Sequence, residues 1–322
     1  SYFPVGSATQ TLGFGWGTGV WDGSNGWGSA TAASATSLEP GNWSLDNYGT
    51  ILIATIRNGG TFEWNPTSGV TTRATAVTTN PTASVMTIVS DTDRHLIHLG
   101  TETTIGSINT QDKMFIRFSD QEDRTDYVPV STNTAGTFQL DSGSKIVSAA
   151  RGKDYIFIVT DTSAYIMQFV GPPFTFSIRQ VGSNCGAMSQ HSLVHVEYFV
   201  FTTQTDDDLG FNFGQSEQVF AGYNTLFTEI NWFYCKDGST QIDRCVTLNY
   251  REGLWTTSSL ARTAYSDKYV LDNPYATEYN SSGLPTVSIN GITNEFGAAT
   301  LYKHETGNNQ FDVLGNKTAK TC

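Results

Sequence analysis

The stretch Lys153–Gly171, KDYIFIVTDTSAYIMQFVG, reads as two strands joined by a turn. Tyr155 to Val159 and Ala164 to Val170 are rich in β-branched and aromatic residues. Such side chains suit a pleated, half-buried surface better than a helix. Between them TDTS supplies short polar side chains that bond to nearby backbone and reverse the chain. A lone two-stranded ribbon cannot bury so many apolar groups. It has to pack against further strands, and the rest of the chain must supply them.

Similar units recur along the sequence. TILIATIRNGGTFEWNP (50–66) places Asn58-Gly59-Gly60 where a tight turn needs positive φ. DRHLIHLGTET (93–103) is followed by DKMFIRFSDQED (112–123). EINWFYCKDGSTQIDRCVTLNYREGLW (229–255) carries Asp237-Gly238 in its turn region. Less regular strands are expected in HSLVHVEYFVFTT (191–203) and ATLYKHET (299–306). Helical spacing is scarce, and GQSEQVFAGYN (214–224) fits one short helical turn. Hairpins in series at roughly 30- to 60-residue intervals predict propeller blades, with a sandwich as the alternative. Trp64, Phe169 and Trp255 lie near hairpin ends, where large rings are expected to fill space between neighbouring sheets. The predicted architecture is all-β: an irregular β-propeller-like body of antiparallel hairpins over 46–310. A Gly/aromatic-rich arm, 1–45, precedes it and a tail, 311–322, follows it.

Composition agrees with strands and turns. Of the 322 residues only 15% are charged, against about 25% in ordinary soluble domains, and 12% are aromatic. Eighteen basic and 30 acidic residues leave a net charge of -12. That argues against a basic nucleic-acid-binding face. It is compatible with an acidic wall past which a duplex moves without sticking, and equally with plain solubility. Of the four cysteines, Cys235 and Cys245 flank KDGSTQIDR and are read as free buried thiols, with a bridge across the hairpin as the alternative. No apolar run reaches the length of a membrane span. The chain opens on Ser1 without a signal-peptide pattern and is read as a processed or truncated piece.

Candidate chemistry is sparse. His95 and His98, three apart in a strand, point to opposite faces and cannot share a metal. His191 and His195 share a face but stand too far apart in an extended chain, so all four are read as structural. Asp120, Glu122, Asp123 and Asp126 form one acidic cluster and Asp206, Asp207 and Asp208 another. Neither alternates ligands as a calcium loop does, and both are expected to be solvated loops. With Glu39, Glu63 and Asp91 they would make one surface negative. Paired carboxylates from distant loops remain open for sugar chemistry. No G-x-S-x-G elbow or phosphate-binding G-x-x-x-x-G-K-[ST] loop occurs. No metal, cofactor or catalytic residue is expected. The arm GFGWGTGVWDGSNGWG (13–28) sets Phe14, Trp16, Trp21 and Trp27 on a loose backbone. Rings of this size left in water form an aggregation-prone patch, so docking onto the body or a neighbouring subunit is expected, with sugar stacking as the alternative.

An ordered set of segments resembles the tail tubular or tail nozzle proteins of tailed phages, particularly the short-tailed ones. The set is the glycine–aromatic opening, WSLDNYGTILIATIRNGGTFEWNP, RHLIHLG, MFIRFSDQEDRTDYVP, YIFIVTDTSAYIMQFVGPPFTFSIRQVGSNCG, GQSEQVFAGYNTLFTEINWFYC, YREGLWTTSSLARTAY and HETG, spanning most of 13–306. The resemblance implies a structural virion protein, assembled in the host cytoplasm, forming the distal nozzle ring of the tail. It implies a hexameric ring of this chain below a tail adaptor, contacts with fibre or spike proteins, and genomic DNA passing without sequence-specific binding. It brings no active-site residues. Asp120, Glu122, Asp123, Asp206, Asp207 and Asp208 are then candidates for an acidic lumen, and Phe14, Trp16, Trp21 and Trp27 for the subunit interface. The runner-up is a carbohydrate-binding or carbohydrate-cleaving tail protein. A third option is a secreted binding module.

Overall fold

The computed structural model describes residues 39, 41–91, 93–194 and 210–267 in full. It also describes the backbone pairing of short strands outside those ranges. Strands β1 (Thr9–Thr11) and β2 (Ala35–Ser37) pair with each other. The first sheet follows, with β3 (Trp43–Tyr48), β4 (Ile51–Ile56), β5 (Thr61–Trp64) and β6 (Thr75–Ala76). The second holds β7 (Met86–Val89), β8 (Leu96–Leu99), β9 (Phe115–Phe118) and β10 (Gly136–Gln139). The third holds β11 (Ile146–Arg151), β12 (Ile156–Thr160), β13 (Ser163–Gly171) and β14 (Thr175–Ser183). A ribbon of β15 (Val194–Val196) and β16 (Phe199–Phe201) separates these from the fourth sheet. That sheet is β17 (Phe220–Asn224), β18 (Glu229–Tyr234), β19 (Arg244–Asn249) and β20 (Leu254–Ser258). A fifth is β21 (Ala264–Ser266), β22 (Tyr275–Tyr279), β23 (Pro285–Asn290), β24 (Ala299–His304) and β25 (Phe311–Leu314).

Every sheet is an antiparallel meander whose strand order follows the sequence. The repeating unit is therefore four strands, two hairpins at a time, rather than one hairpin. The opening strand of each sheet lies innermost, and consecutive opening strands pack side by side: β3 on β7, β7 on β11, β11 on β15, β15 on β17 and β17 on β21. Side chains tie them. Ser44 Oγ accepts from Thr87 N at 3.1 Å and Asp46 Oδ2 accepts from Val89 N at 2.8 Å, so β3 and β7 run in the same direction. Ser148 Oγ donates to Gln190 O at 2.7 Å, and Ala221 N donates to His191 O at 2.8 Å. This is an irregular propeller-like body, all-β, with short 3₁₀ turns only among the described residues.

Local chemistry places the turns. Asn58 takes φ 56° between β4 and β5. A Cβ on the next residue, Gly59, would lie 2.6 Å from Ile56 Cγ2, so glycine is required there. The short helical turn expected in GQSEQVFAGYN is a 3₁₀ helix, Phe213–Gln218, capped by the Asn212 side chain, which accepts from Gly214 N at 3.0 Å. β3 opens at Trp43, ahead of the boundary placed at 46. Cys235 and Cys245 are free and buried. Cys245 sits opposite Phe233 rather than opposite Cys235, and all three pack in one apolar cluster.

The main core lies between the second and third sheets. Met86, Ile88, Ile97, Leu99, Ile116 and Phe118 meet Ile146, Ile156, Ile158, Tyr165, Met167 and Phe176 there. Because side chains alternate along a strand, the other face of β7 and β8 presents Thr87, Val89, Leu96 and His98 to the first sheet. Of the three rings expected between sheets, Phe169 packs against the main core. Trp64 is half-buried and donates from Nε1 to Thr72 O at 2.9 Å. Trp255 corrects the expectation: it is 61% exposed on the outermost strand of its sheet and rests on Trp232 at 5.7 Å between ring centroids.

Candidate functional site

The densest set of charges gathers at the end where the inner strands begin. Glu39 precedes β3. Its Oε2 accepts from Lys113 Nζ at 2.8 Å and from Asn58 Nδ2 at 3.0 Å, and its Oε1 accepts from Lys145 Nζ at 3.2 Å. Lys113 leads toward β9 of the second sheet and Lys145 toward β11 of the third. Arg57 follows β4, and its side chain is 1% exposed. Arg57 Nη1 donates to Glu217 Oε2 at 2.7 Å, which reaches the 3₁₀ turn ahead of the fourth sheet. One constellation thus ties four sheets at the mouth of the inner-strand axis.

Local structure explains how these groups meet. Arg57 N donates to Asn42 O at 2.8 Å and Asn58 N donates to Ser84 O at 2.7 Å, pinning the β4–β5 turn to the segments that open β3 and β7. Gln111 Nε2 donates to Asn58 Oδ1 at 3.1 Å and to Gly100 O at 2.9 Å. Burial by itself would raise the Glu39 carboxyl. The hydrogen bonds from Lys113 and Asn58 and the charge of Arg57 override it and hold the group down at about 2. Arg57 Nε is buried without an acceptor and lies 4.0 Å from Glu39 Oε2. Beside them His191 keeps solvent access, while the atoms crowded around it and the Arg57 charge lower its imidazole from the ordinary value. Chemically, the mouth is a carboxylate holder with cations in excess.

The opposite end of the inner strands carries a second clamp. Arg151 Nη1 donates to Asp46 Oδ2 at 3.2 Å and to Val89 O at 2.9 Å, and its Nε meets Asp91 Oδ2 at 2.9 Å. A crevice of about 10 Å³ beside it is lined by Ser90, Asp93, Lys153 and Tyr155 among others. That is room for about one water and not for a substrate. Nearby, Asp93, His95, Thr134 and Asp120 form a hydrogen-bonded chain resembling an acid–base–hydroxyl relay. The bonding argues otherwise. The Thr134 and Gln121 donors lower the Asp120 carboxyl against the effect of burial. The Thr134 hydroxyl donates to Asp120 Oδ1 at 2.7 Å and accepts from Gln121 N at 2.9 Å. Its proton is thus directed at Asp120 and not at His95 Nε2, which lies 3.0 Å away. The imidazole is fully buried among Phe118, Phe169 and Phe176. The chain is a strut.

The residues singled out from sequence fall in different places. Phe14, Trp16, Trp21, Trp27, Asp206, Asp207 and Asp208 lie outside the described residues, as does the side chain of His195. Asp120, Glu122 and Asp123 sit in the turn after β9. Asp123 Oδ1 accepts from Thr125 N at 2.9 Å and from its hydroxyl at 2.6 Å, which lowers its carboxyl. Glu122 pairs with Arg94 at 3.0 Å, both exposed. Of the acids expected to join the two clusters in one negative surface, Glu39, Glu63 and Asp91 each meet a cation. Glu39 is held by two lysines, Glu63 by Arg124 at 2.8 Å and Asp91 by Arg151. His95 and His98 do point apart: His98 Nδ1 meets Ser84 Oγ at 2.8 Å and its Nε2 meets Tyr127 Oη at 3.1 Å. Sequence reading missed Arg57, Lys113, Lys145 and Glu217. Their one signal was position, single charges just outside strand ends in a chain poor in basic residues.

No protein-family model matches the chain, and no curated protein does. Among solved structures, a variant of the Synechocystis apocarotenoid oxygenase is similar at 9% identity and a TM-score of 0.43, covering 81% of this chain and 71% of that one. The CNH domain of AfRom2 is similar at 11% identity and 0.42, covering 87% and 92%. A post-proline cleaving enzyme from Rickettsia typhi is similar at 11% identity and 0.45, covering 84% and 47%. Scores of this size describe a shared outline at most.

Proposed function

We propose that this chain is a structural virion protein, a subunit of the nozzle ring at the distal end of a phage tail, and not an enzyme. The ordered segments that resemble tail tubular proteins support this reading. The observation that carries it is mechanical: the inner strands are clamped by charged groups at both ends, Glu39 with Arg57, Lys113 and Lys145 at one and Asp46 with Arg151 at the other. A wall that conducts a polymer under pressure needs sheets that cannot slide. Clamps at each end of consecutive sheets resist sliding. In this reading six copies close a ring below a tail adaptor and carry fibres or spikes. Phe14, Trp16, Trp21 and Trp27 bury against the neighbouring copy. Acidic turns such as 120–126 face the passing DNA and keep it from adhering. The test is electron microscopy with light scattering on the purified chain. A ring six times the 35.1 kDa protomer is expected. A monomer at every concentration overturns the proposal, and a neutral or basic lumen in the assembled ring overturns the acidic-wall part of it.

One observation favours the carbohydrate reading. Leu254 and Trp255 are exposed on an edge strand without charge, and the Trp255 ring is backed by Trp232. Flat, supported rings are stacking platforms for sugars. Retention on immobilised host polysaccharide, lost in Trp255→Ala, would establish that reading. Reducing ends released from it would make the chain an enzyme.

A further inference from the structure

We infer that the body contains a carboxylate-binding pocket at the mouth of its axis, filled in this structure by its own Glu39. The pocket stands apart from any ring or tail assignment. Its walls belong to three sheets: Asn58 and Arg57 from the β4–β5 turn, Lys113 ahead of β9 and Lys145 ahead of β11. Its occupant comes from the link between β2 and β3.

The pocket is built for an anion, not assembled from chance surface contacts. Four donor groups converge on one carboxylate, three at 2.8 to 3.2 Å and Arg57 Nε at 4.0 Å with no acceptor of its own. Asn58 is itself held by Gln111 at 3.1 Å, so its amide nitrogen points at the carboxylate rather than away. The charges do not cancel. Arg57, Lys113 and Lys145 face Glu39 and Glu217, three cations against two carboxylates. Without Glu39 the balance is three against one, with Arg57 buried. Arg57 keeps Glu217, while the two lysines and the buried Arg57 Nε lose the acceptor they face, so the site then draws in an anion of matching shape. Lys113 and Lys145 remain 38% and 33% exposed, so a solute reaches them from solvent. Two oxygens are engaged on different partners, which suits a planar carboxylate. Glu39 is thereby a latch. A carboxylate offered by a solute or by another chain competes for the same donors and frees the segment ahead of β3.

Chemical rescue of the full chain tests this. Glu39→Ala should melt lower than wild type by several degrees. Sodium formate should restore the melting temperature saturably, while sodium chloride at equal ionic strength should not. Wild type, its pocket filled, should gain no more from formate than from chloride. Adding Lys113→Ala and Lys145→Ala should remove the formate response. Equal responses of wild type and Glu39→Ala overturn the proposal, as does a response that survives loss of both lysines. Phosphate rescuing better than formate overturns the carboxylate assignment. If Glu39→Ala does not accumulate, Glu39→Gln replaces it. Its neutral amide holds the lysines weakly, so formate should still stabilise it more than wild type, and an equal response counts against the pocket.

Discussion

The second sheet has two faces, and they are closed by different chemistry. Toward the third sheet, β7, β8 and β9 present Met86, Ile88, Ile97, Leu99, Ile116 and Phe118, which meet an equally apolar surface. Toward the first sheet the alternate residues of β7 and β8 present Thr87, Val89, Leu96 and His98. A small apolar cluster of Tyr48, Ile53, Val89 and Leu96 sits there. The rest is a buried hydroxyl ladder: Thr87 Oγ1 donates to Thr55 Oγ1 at 2.9 Å, Thr55 bonds Thr61 at 2.9 Å, and Ser44 accepts from Thr87 N. The apolar seam draws its stability from area removed from water, which is non-directional. The polar seam gains less per group but tolerates only one register, because every buried hydroxyl must find its partner. A sheet that must stay both attached and unable to slide benefits from one face of each kind.

The comparison can be broken hardest at the mouth that closes the polar side. Arg57→Leu leaves Glu217 without its buried partner and should cost about 3–5 kcal/mol, read by chemical denaturation at neutral pH. On the apolar side Ile158→Ala opens a cavity at a residue with no exposure and should cost about 2–4 kcal/mol. That loss should be the same at pH 5 and pH 7, since no charge is involved. If instead it varies with pH, the two seams are not chemically distinct.

The polar seam should be sensitive to acid. Burial and the nearby Arg117 charge push the His98 imidazole down to about 3. The folded state therefore refuses a proton that the unfolded chain accepts below its ordinary value near 6.5. Stability is intact above that pH and declines as pH falls toward 3, by about 3 kcal/mol at pH 4. His98→Gln should flatten this slope, whatever it does to stability at pH 7. An unchanged slope would show that other groups carry it. The smallest effect is expected from Thr87→Val, which removes the hydroxyl that donates to Thr55 Oγ1 but keeps the Thr87 N bond to Ser44, and should cost about 1 kcal/mol with the apolar core intact.

The apolar seam was legible before the structure because its pattern is local. Runs such as YIFIVT and SAYIMQF announce strands, and Asn58-Gly59-Gly60 announces its turn. Trp255 misled for the same reason. A large ring near a hairpin end looks like core, yet it stands on the outermost strand, and only the meander order reveals that. The polar seam left no such trace, since threonine and serine in a strand read the same whether they face water or another sheet.

Sequence alone determined that this chain is all-β, built of hairpins in series, and short of charge, because period-two patterning and turn residues act over a few neighbours. Tertiary structure alone decided which charges meet. Arg57 and Glu217 are 160 residues apart, and Glu39 and Lys145 are 106 apart. No local rule pairs groups at such separations. They meet because the inner strands run side by side in one direction and bring their starting ends to a single mouth.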